Sequence, residues 1–184
     1  MTDNSTERRD TAAGVLGAAT VATGLLAGVF YAFACAVMPA LARSDDRVFI
    51  EVMGNVNDVI QNPVFFLSFL GAPALTAVAA RRYRGAPNRW WVFAALAACA
   101  LVLLITVAVS IPLNNGLADA GDPARIADPA AVRDRFEDTW AAWNVVRALL
   151  STVALGCLAR ALFLSRRPQS SAYLESAAGS SASR

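Results

Sequence analysis

The stretch WWVFAALAACALVLLITVAVSIPLNNGLA, residues 90–118, contains no charged side chain. An α-helix needs about 20 predominantly apolar residues to cross a bilayer, so this stretch is long enough to cross once. Residues 11–42 and 59–80 are equally free of charge, and residues 139–159 carry only that of Arg147. Because helices satisfy their own backbone hydrogen bonds, as lipid requires, we predict an all-α fold, a four-helix transmembrane bundle. The predicted spans are about 12–41, 60–80, 90–114 and 139–164.

The composition narrows the class of protein. Of the 184 residues, 57% are hydrophobic and 16% are charged, and the mean hydropathy is +0.47. Soluble globular domains average about 45–50% apolar and about 25% charged residues. The absence of histidine excludes His-ligated haem and metal sites and Ser-His or Cys-His catalytic pairs. The three cysteines lie in separate apolar blocks and form no CxxC pair, so we predict no metal and no cofactor.

The chain divides into one membrane domain and two polar ends. Residues 1–10 form a polar N-terminal tail, and residues 11–165 form a single four-span domain. Residues 166–184 are rich in serine and alanine, and we expect them to form a disordered C-terminal tail.

Small residues recur at four-residue spacing in the first predicted helix, at Gly24, Gly28, Ala32 and Ala36. Such a ridge lets helix backbones approach closely in lipid. It has two interpretations, homo-oligomerisation or packing against the second or fourth helix, and we favour the second. The lipid bilayer is itself a predicted partner. Nucleic acid is not, because the net charge is only +2 and no basic patch is interleaved with aromatic residues.

The distribution of arginine predicts the orientation of the bundle. Arg81, Arg82, Arg84 and Arg89 cluster in the loop between the second and third helices, which contains no acidic residue. The other two loops are acidic on balance. The positive-inside rule therefore places the basic loop and both termini in the cytoplasm. We predict an integral protein of a bacterial plasma membrane with cytoplasmic N- and C-termini.

The fourth block contains a stripe of polar and aromatic residues. Trp140, Trp143, Asn144 and Arg147 recur at helical spacing and share one helix face. An arginine at the centre of a span costs about 2.5–3.5 kcal/mol on insertion scales, so such a residue usually faces a protein interior or a water-filled cavity. We hypothesise that the stripe lines a site.

Three residues of the stripe also have a structural interpretation. Arg147 could snorkel to the surface along its own stem, or pair with Asp58 or Glu51 across the bundle. Trp140 and Trp143 could be members of an interfacial aromatic belt. The sequence leaves these alternatives open.

The predicted topology brings further polar residues to the same membrane face. Asn57, Asp58, Asn62 and Asn114 lie at the ends of blocks that meet the start of the fourth helix. Asn62 directly precedes Pro63, a pattern typical of an N-cap followed by a first-turn proline. A buried amide at Asn114 must find a hydrogen-bond partner. The sequence therefore predicts a polar funnel in one half of the bundle.

Four motifs in register resemble a known family. The first motif is TGLLAGVFYAF at 23–33 followed by VMPAL at 37–41, and the second is Met53-x-x-Val-Asn57 followed by Asn62-Pro-x-Phe65. The third motif is Ile111-Pro-Leu-Asn114, and the fourth is Trp140-x-x-Trp143-Asn144-x-x-Arg147. Their order and spacing resemble the anthrone oxygenase-like family of small integral membrane proteins over residues 15–160. Most members of that family are of unknown function. Ser110 departs from the family, which tends to have asparagine two residues before the proline of the third motif.

The resemblance implies oxidation of an anthrone-type phenolic polycycle, or a related small hydrophobic substrate, by O₂ without metal or flavin. It implies catalytic roles for Arg147, Asn144, Asn114 and Asn57. Arg147 would stabilise an oxyanion of the substrate, and the amides would orient its carbonyl and phenols.

The same resemblance implies substrate-binding roles for Trp140, Trp143, Asn62 and Asp58, with the indoles forming a flat apolar slot. Either Asp58 or Glu51 would act as the base, unless the phenols of the substrate are acidic enough.

Two other functions fit the same residues. The protein could bind a lipid, a quinone or a small hydrophobic ligand without catalysis. It could also be a membrane subunit of a larger complex.

Overall fold

The computed structural model describes residues 3–165, and most of this part of the chain is helical. The elements in chain order are α1 (Asp3–Ala32), a first π-helical segment (Phe33–Val37), α2 (Met38–Leu41), α3 (Asp46–Ile60), α4 (Pro63–Arg82), α5 (Arg89–Ile105), a second π-helical segment (Thr106–Ser110), α6 (Ile111–Ala118), a short 3₁₀ turn (Pro123–Arg125) and α7 (Pro129–Ser165).

Four helical units are long and apolar enough to cross a membrane. We call them spans 1 to 4: Asp10–Leu41, Pro63–Arg82, Arg89–Ala118 and Pro129–Ser165. Spans 1 and 3 each pack against spans 2 and 4, so the four units form a closed ring. The predicted all-α, four-helix transmembrane bundle is confirmed.

Three of the four helices begin at residues that differ from the predicted starts of their spans, and the third begins at Arg89, next to its predicted start. α1 starts at Asp3, so the described part of the predicted polar tail, 1–10, is helical. Span 2 starts at Pro63, because the preceding residues up to Ile60 belong to α3. The helix of span 4 starts at Pro129, well before the predicted bound of 139. The predicted disordered tail, 166–184, lies outside the described residues.

Both π-helical segments come directly before a helix that contains a proline in its first turn. Pro39 and Pro112 have no backbone N–H, and a proline ring clashes with the carbonyl four residues earlier in a regular helix. The helices accommodate them by widening one turn. The N–H of Met38 donates to the oxygen of Phe33, and that of Ile111 donates to Thr106. Each span therefore changes its register just before its proline.

The two loops at one end of the bundle fold into a cap, which the hydropathy pattern does not reveal. In α3, Asp45 is the N-cap and accepts a hydrogen bond from the backbone N–H of Val48. The buried face of α3, with Phe49 and Met53, packs against Phe136 at the start of α7. We call the end of the bundle that carries this cap the cavity end.

Arg133 joins the parts of the cap. Its guanidinium donates hydrogen bonds to the carboxylates of Asp46 at 2.9 Å and Glu137 at 2.5 Å. It also donates to the backbone carbonyl oxygens of Ala42 and Ser44, which follow span 1. One side chain therefore connects the end of span 1, the start of α3 and the start of span 4.

The opposite end of the bundle has a core of small side chains, and we call it the closed end. All four spans contribute to this core, and seven of its members are alanine. The buried residues are Leu16, Ala19, Ala79, Ala80, Tyr83, Val92, Ala95, Ala98, Cys99, Ala154, Cys157, Leu158 and Ala161. Small side chains let helices approach closely without leaving voids.

The small-residue ridge of span 1 is packed at one position only. A Cβ added at Gly24 would lie 3.5 Å from Leu155 Cδ1, so Gly24 contacts span 4. Gly28, Ala32 and Ala36 are exposed. The interpretation of the ridge as internal packing is therefore correct at Gly24 and wrong for the other three residues. Homo-oligomerisation stays a prediction.

Candidate functional site

A cavity of about 220 Å³ lies at the cavity end of the bundle, and all four spans and α3 line it. A cavity of roughly 150 Å³ is enough to hold benzene, so this one has room for a larger aromatic molecule. Its lining combines aromatic and aliphatic side chains with several amides, two hydroxyl groups and one guanidinium. The lining residues are Val29, Phe30, Phe33, Val56, Asn57, Ile60, Gln61, Phe65, Phe66, Phe69, Thr106, Ser110, Ile111, Asn114, Asn115, Trp140, Asn144 and Arg147.

Arg147 is the charged residue of the cavity, and only 5% of it is exposed. Its Nη1 donates to Thr106 Oγ1 at 3.5 Å, and its Nη2 donates to Asn144 Oδ1 at 3.3 Å. Both distances are longer than the roughly 2.7–3.2 Å of ordinary N–H···O bonds, so both bonds are weak. Burial excludes the interpretation that Arg147 snorkels to the surface.

Two aromatic rings, and not an anionic side chain, contact the guanidinium of Arg147. Its Cζ lies 4.6 Å from the ring centroid of Phe30 and 5.4 Å from that of Trp140. These contacts favour a cation over the ring faces without neutralising it. Among the described residues, no aspartate or glutamate lines the cavity. The predicted alternative pairing of Arg147 with Asp58 or Glu51 is therefore wrong.

Asn144 fixes the position of span 4 against span 1. The side chain is 1% exposed, and its Nδ2 donates to the backbone oxygen of Phe30 at 3.0 Å. This bond leaves its Oδ1 oriented toward Arg147. Phe30 thus contacts both residues, since its ring lies beside the guanidinium.

Trp140 and Asn114 form a second polar pair in the wall. The indole Nε1 of Trp140 donates to Asn114 Oδ1 at 2.9 Å, and this satisfies the half-buried amide oxygen. The indole also contacts Phe33 at 5.7 Å and stacks on Phe136 at 5.9 Å between ring centroids. Trp140 is 6% exposed, so it is a wall residue and not part of an interfacial belt.

Two N–H donors of the lining have no hydrogen-bond partner among the described residues, Arg147 Nε and Asn57 Nδ2. Buried N–H groups normally find a partner, and an unsatisfied one costs about 1–3 kcal/mol. Both side chains belong to the same cavity. Unpartnered hydroxyls at Thr23 and Ser151 lie outside its lining. The lining therefore contains one cationic side chain with weak hydrogen bonds, Arg147, which can donate to a ligand with oxygen acceptors.

The structure does not bring three of the predicted site residues into the cavity. Trp143 is 38% exposed and outside the lining, because it lies about 100° around the helix from Asn144. Asp58 is exposed on α3, one residue after Asn57 and on a different face. Asn62 caps α4, where its Oδ1 accepts from the backbone N–H groups of Val64 and Phe65. The predicted N-cap interpretation of Asn62 is confirmed.

The predicted bases also lie elsewhere. Asp58 and Glu51 are both exposed and outside the cavity lining. The proposal that one of them removes a proton from a bound substrate therefore has no geometric support.

Sequence reasoning overlooked several wall residues that the π-helical segments and span 2 supply. Phe33 and Thr106 begin the two π-helical segments and line the cavity, as does Phe69 of α4. Pro39 and Pro112 were signals of these segments, since widened turns often accompany prolines and functional sites. Ser110, singled out as a departure, is 3% exposed and lines the cavity.

The comparisons with known proteins agree with this architecture. The sequence profile of the anthrone oxygenase family matches residues 59–157, more than half of the 184-residue chain. Searches of curated proteins and of solved structures gave no significant match. The matched region contains α4, α5, α6 and most of α7, with Asn114, Trp140, Asn144 and Arg147 of the cavity. The chain belongs to the anthrone oxygenase family.

Proposed function

We propose that this protein oxidises an anthrone-type phenolic polycycle, or a related small hydrophobic substrate, with O₂ in the cavity. The observation that carries the proposal is the buried, unneutralised guanidinium of Arg147 on the wall of an aromatic cavity. An uncompensated charge in a membrane bundle is expensive, which is why such residues usually serve a function.

The reaction begins with the loss of a proton from the ring methylene opposite the carbonyl, which gives an electron-rich enolate. The enolate oxygen carries the negative charge, and the guanidinium of Arg147, whose own hydrogen bonds are weak, would donate to it. A donor fixed before the reaction stabilises developing charge most strongly where water is excluded. Phe30 and Trp140 hold the guanidinium without cancelling its charge.

The enolate then passes one electron to O₂, and the resulting radical and superoxide combine into a peroxide at the former methylene carbon. Cleavage of the O–O bond and loss of the remaining C–H proton give the second carbonyl and one water. The methylene loses four electrons and O₂ gains four, so anthrone and O₂ give anthraquinone and water. No further oxidant or reductant is required.

The proton removed in the first step has no acceptor among the described cavity side chains. Of the lining residues, Arg147 is cationic and the others are neutral. Arg147 would therefore act by making the bound substrate more acidic, with a water molecule inside the cavity as the proton acceptor. The amides of Asn57 and Asn114 lie in the same wall and would orient the carbonyl and phenols of the substrate.

The absence of a base from the described lining favours one alternative, a non-catalytic binder of a quinone, a lipid or a small hydrophobic molecule. Such a binder would use the same free donors for the oxygens of its ligand. A membrane subunit would instead co-purify with a partner and tolerate the loss of Arg147.

Oxygen consumption with the anthrone dithranol separates these functions. Wild-type protein in lipid nanodiscs should consume O₂ and form quinone faster than empty nanodiscs. Arg147→Ala should lower this rate by about 100-fold or more, as the loss of one oxyanion donor typically does. Arg160→Ala is the matched control, because Arg160 is exposed on the same helix and outside the cavity. Equal rates for Arg147→Ala and wild type would overturn the proposal, and saturable binding without oxygen uptake would support the binder.

We also propose that the protein resides in a bacterial plasma membrane with both termini in the cytoplasm, so that the cavity end faces outward. The four apolar helices indicate a membrane protein, and the basic loop between spans 2 and 3 supports this orientation. Modification of Asn115→Cys, on the cavity end, by an impermeant thiol reagent in intact cells tests it. Reactivity in lysed cells alone would contradict the orientation.

A further inference from the structure

The exposed residues of the cavity lining lie in or next to two neighbouring spans, 2 and 3. Phe66 of α4 is 41% exposed and Ile111 of α6 is 45% exposed, and both line the cavity. Gln61 and Asn115 are the other exposed lining residues, one beside each of these two. The lining residues from spans 1 and 4 are buried or half-buried. The cavity therefore opens between spans 2 and 3.

Packing between spans 2 and 3 explains this opening. α4 packs against α5, but it has little contact with the second π-helical segment or α6. The π-helical segment widens span 3 just before Pro112, so the two spans separate toward the cavity end. Spans 1 and 4 remain packed beside them, with Asn144 bonded to Phe30.

The opening lies at the depth of lipid and not of water. α4 has 20 residues and is therefore about 30 Å long, which equals the thickness of the hydrocarbon core. Phe66 comes three residues after the first residue of α4, about 4.5 Å inside the boundary. The apolar Phe66 and Ile111 thus face the acyl chains, and the polar Gln61 and Asn115 lie toward the headgroups.

We infer that the gap between Phe66 and Ile111 is a lateral portal, through which a fused-ring phenol dissolved in the bilayer reaches Arg147. This inference rests on the proposed function for the nature of the ligand. The portal suits such a molecule, because its rings partition among acyl chains while its hydroxyl groups stay near the headgroups. The leaflet on the α3 side would supply the substrate.

A thiol placed in the cavity tests the portal without any turnover. Ser110 is buried and lines the cavity, and Ser110→Cys changes one atom. The background is Cys35→Ala, because Cys35 is exposed whereas Cys99 and Cys157 are buried. In nanodiscs, N-phenylmaleimide should modify Ser110→Cys, and its sulfonated analogue, which stays in water, should not.

Bulky substitutions at the rim should slow this modification. Ile111→Trp and Phe66→Trp should each lower the rate several-fold, because an indole narrows the gap. Leu67→Trp is the matched control, since Leu67 neighbours Phe66 but is 77% exposed and outside the lining. Val64→Trp tests the rival route, a groove between spans 1 and 2 that Val64 lines.

Three results would overturn the portal. They are equal modification by both maleimides, slowing by Val64→Trp alone, or no modification of the folded protein when the unfolded protein reacts. None of them bears on the proposed function, which the dithranol assay of Arg147→Ala decides. Conversely, the protein could show the expected maleimide pattern and be inactive toward dithranol. That result would support the portal and refute the proposed oxidation.

Discussion

The two ends of the bundle are built from the same four helices but packed in opposite ways. At the closed end, alanines from all four spans bring the helices together around Val92 and Leu158. At the cavity end, π-helical segments in spans 1 and 3 and large aromatic side chains keep the helices apart. A third cluster contains Leu26 and Val102 together with Phe30 and Phe69, which line the cavity.

The two ends also differ in the buried polar groups that lower the stability of the fold. The closed end satisfies the requirements of a bundle in lipid, which are close packing and few polar groups. The cavity end keeps a buried guanidinium with weak hydrogen bonds and two unpartnered donors. Packing alone does not require these groups, and this supports our proposal that the cavity end binds a ligand while the closed end stabilises the fold.

Arg147→Met should have the largest effect, because it separates a role of Arg147 in the reaction from a role in folding. The volume-matched apolar side chain should lower dithranol oxidation about 100-fold or more, because the oxyanion donor is lost. Stability should stay equal or rise by up to about 1–4 kcal/mol, as happens when buried charges are replaced by apolar residues. Unfolding in mixed micelles measures the second effect. A large loss of stability would instead make Arg147 a structural residue.

Arg133→Ala should destabilise the cap and, through it, the cavity end. The substitution removes hydrogen bonds to two carboxylates and two backbone carbonyls, and losing charged hydrogen bonds costs about 1.5–3 kcal/mol. Protease sensitivity of the segment around α3 should increase. Arg135→Ala is the control, because Arg135 is exposed and its side-chain N–H donates to Ala131 O of its own helix. Equal behaviour of the two variants would refute the role of Arg133.

Ala154→Leu should damage the closed end. Ala154 is fully buried in the small-residue core, and overpacking a dense core costs about 1–3 kcal/mol. The melting temperature should fall, while the remaining folded protein should keep its rate of dithranol oxidation. Val153→Leu, at a neighbouring position that is 56% exposed, should leave the melting temperature unchanged. The same fall in both variants would show that Ala154 is not tightly packed.

Trp140→Phe should have the smallest effect on the rate of oxidation, and Trp143→Phe is its control. The first variant keeps a ring but loses the hydrogen bond to Asn114, worth about 0.5–1.5 kcal/mol. Oxidation should fall several-fold. Trp143→Phe should behave as wild type, because Trp143 lies outside the cavity. If both variants lost activity equally, the indole of Trp143 would belong to the site after all.

The sequence alone determined the number of spans and the apolar length of each span, and it indicated Asn62 as a candidate N-cap and Arg147 as a charge within a span. These are properties of local composition and spacing, since a charge-free block of sufficient length has few alternatives in lipid. Helical spacing was also enough to place Trp140, Asn144 and Arg147 on one face. The family resemblance was confirmed by the profile match over residues 59–157, which does not include the motifs at 23–41 and 53–57.

Only the tertiary structure decided which residues of that face meet the cavity. A helix face is broad, so spacing could not separate Trp143, which is exposed, from Trp140, which is buried. The widened turns before Pro39 and Pro112 change the register of spans 1 and 3, and this brings Phe33 and Thr106 into the wall. Local spacing does not encode contacts between residues far apart in the chain. Such contacts form the cap at α3, and they leave Arg147 without a carboxylate beside it among residues 3–165.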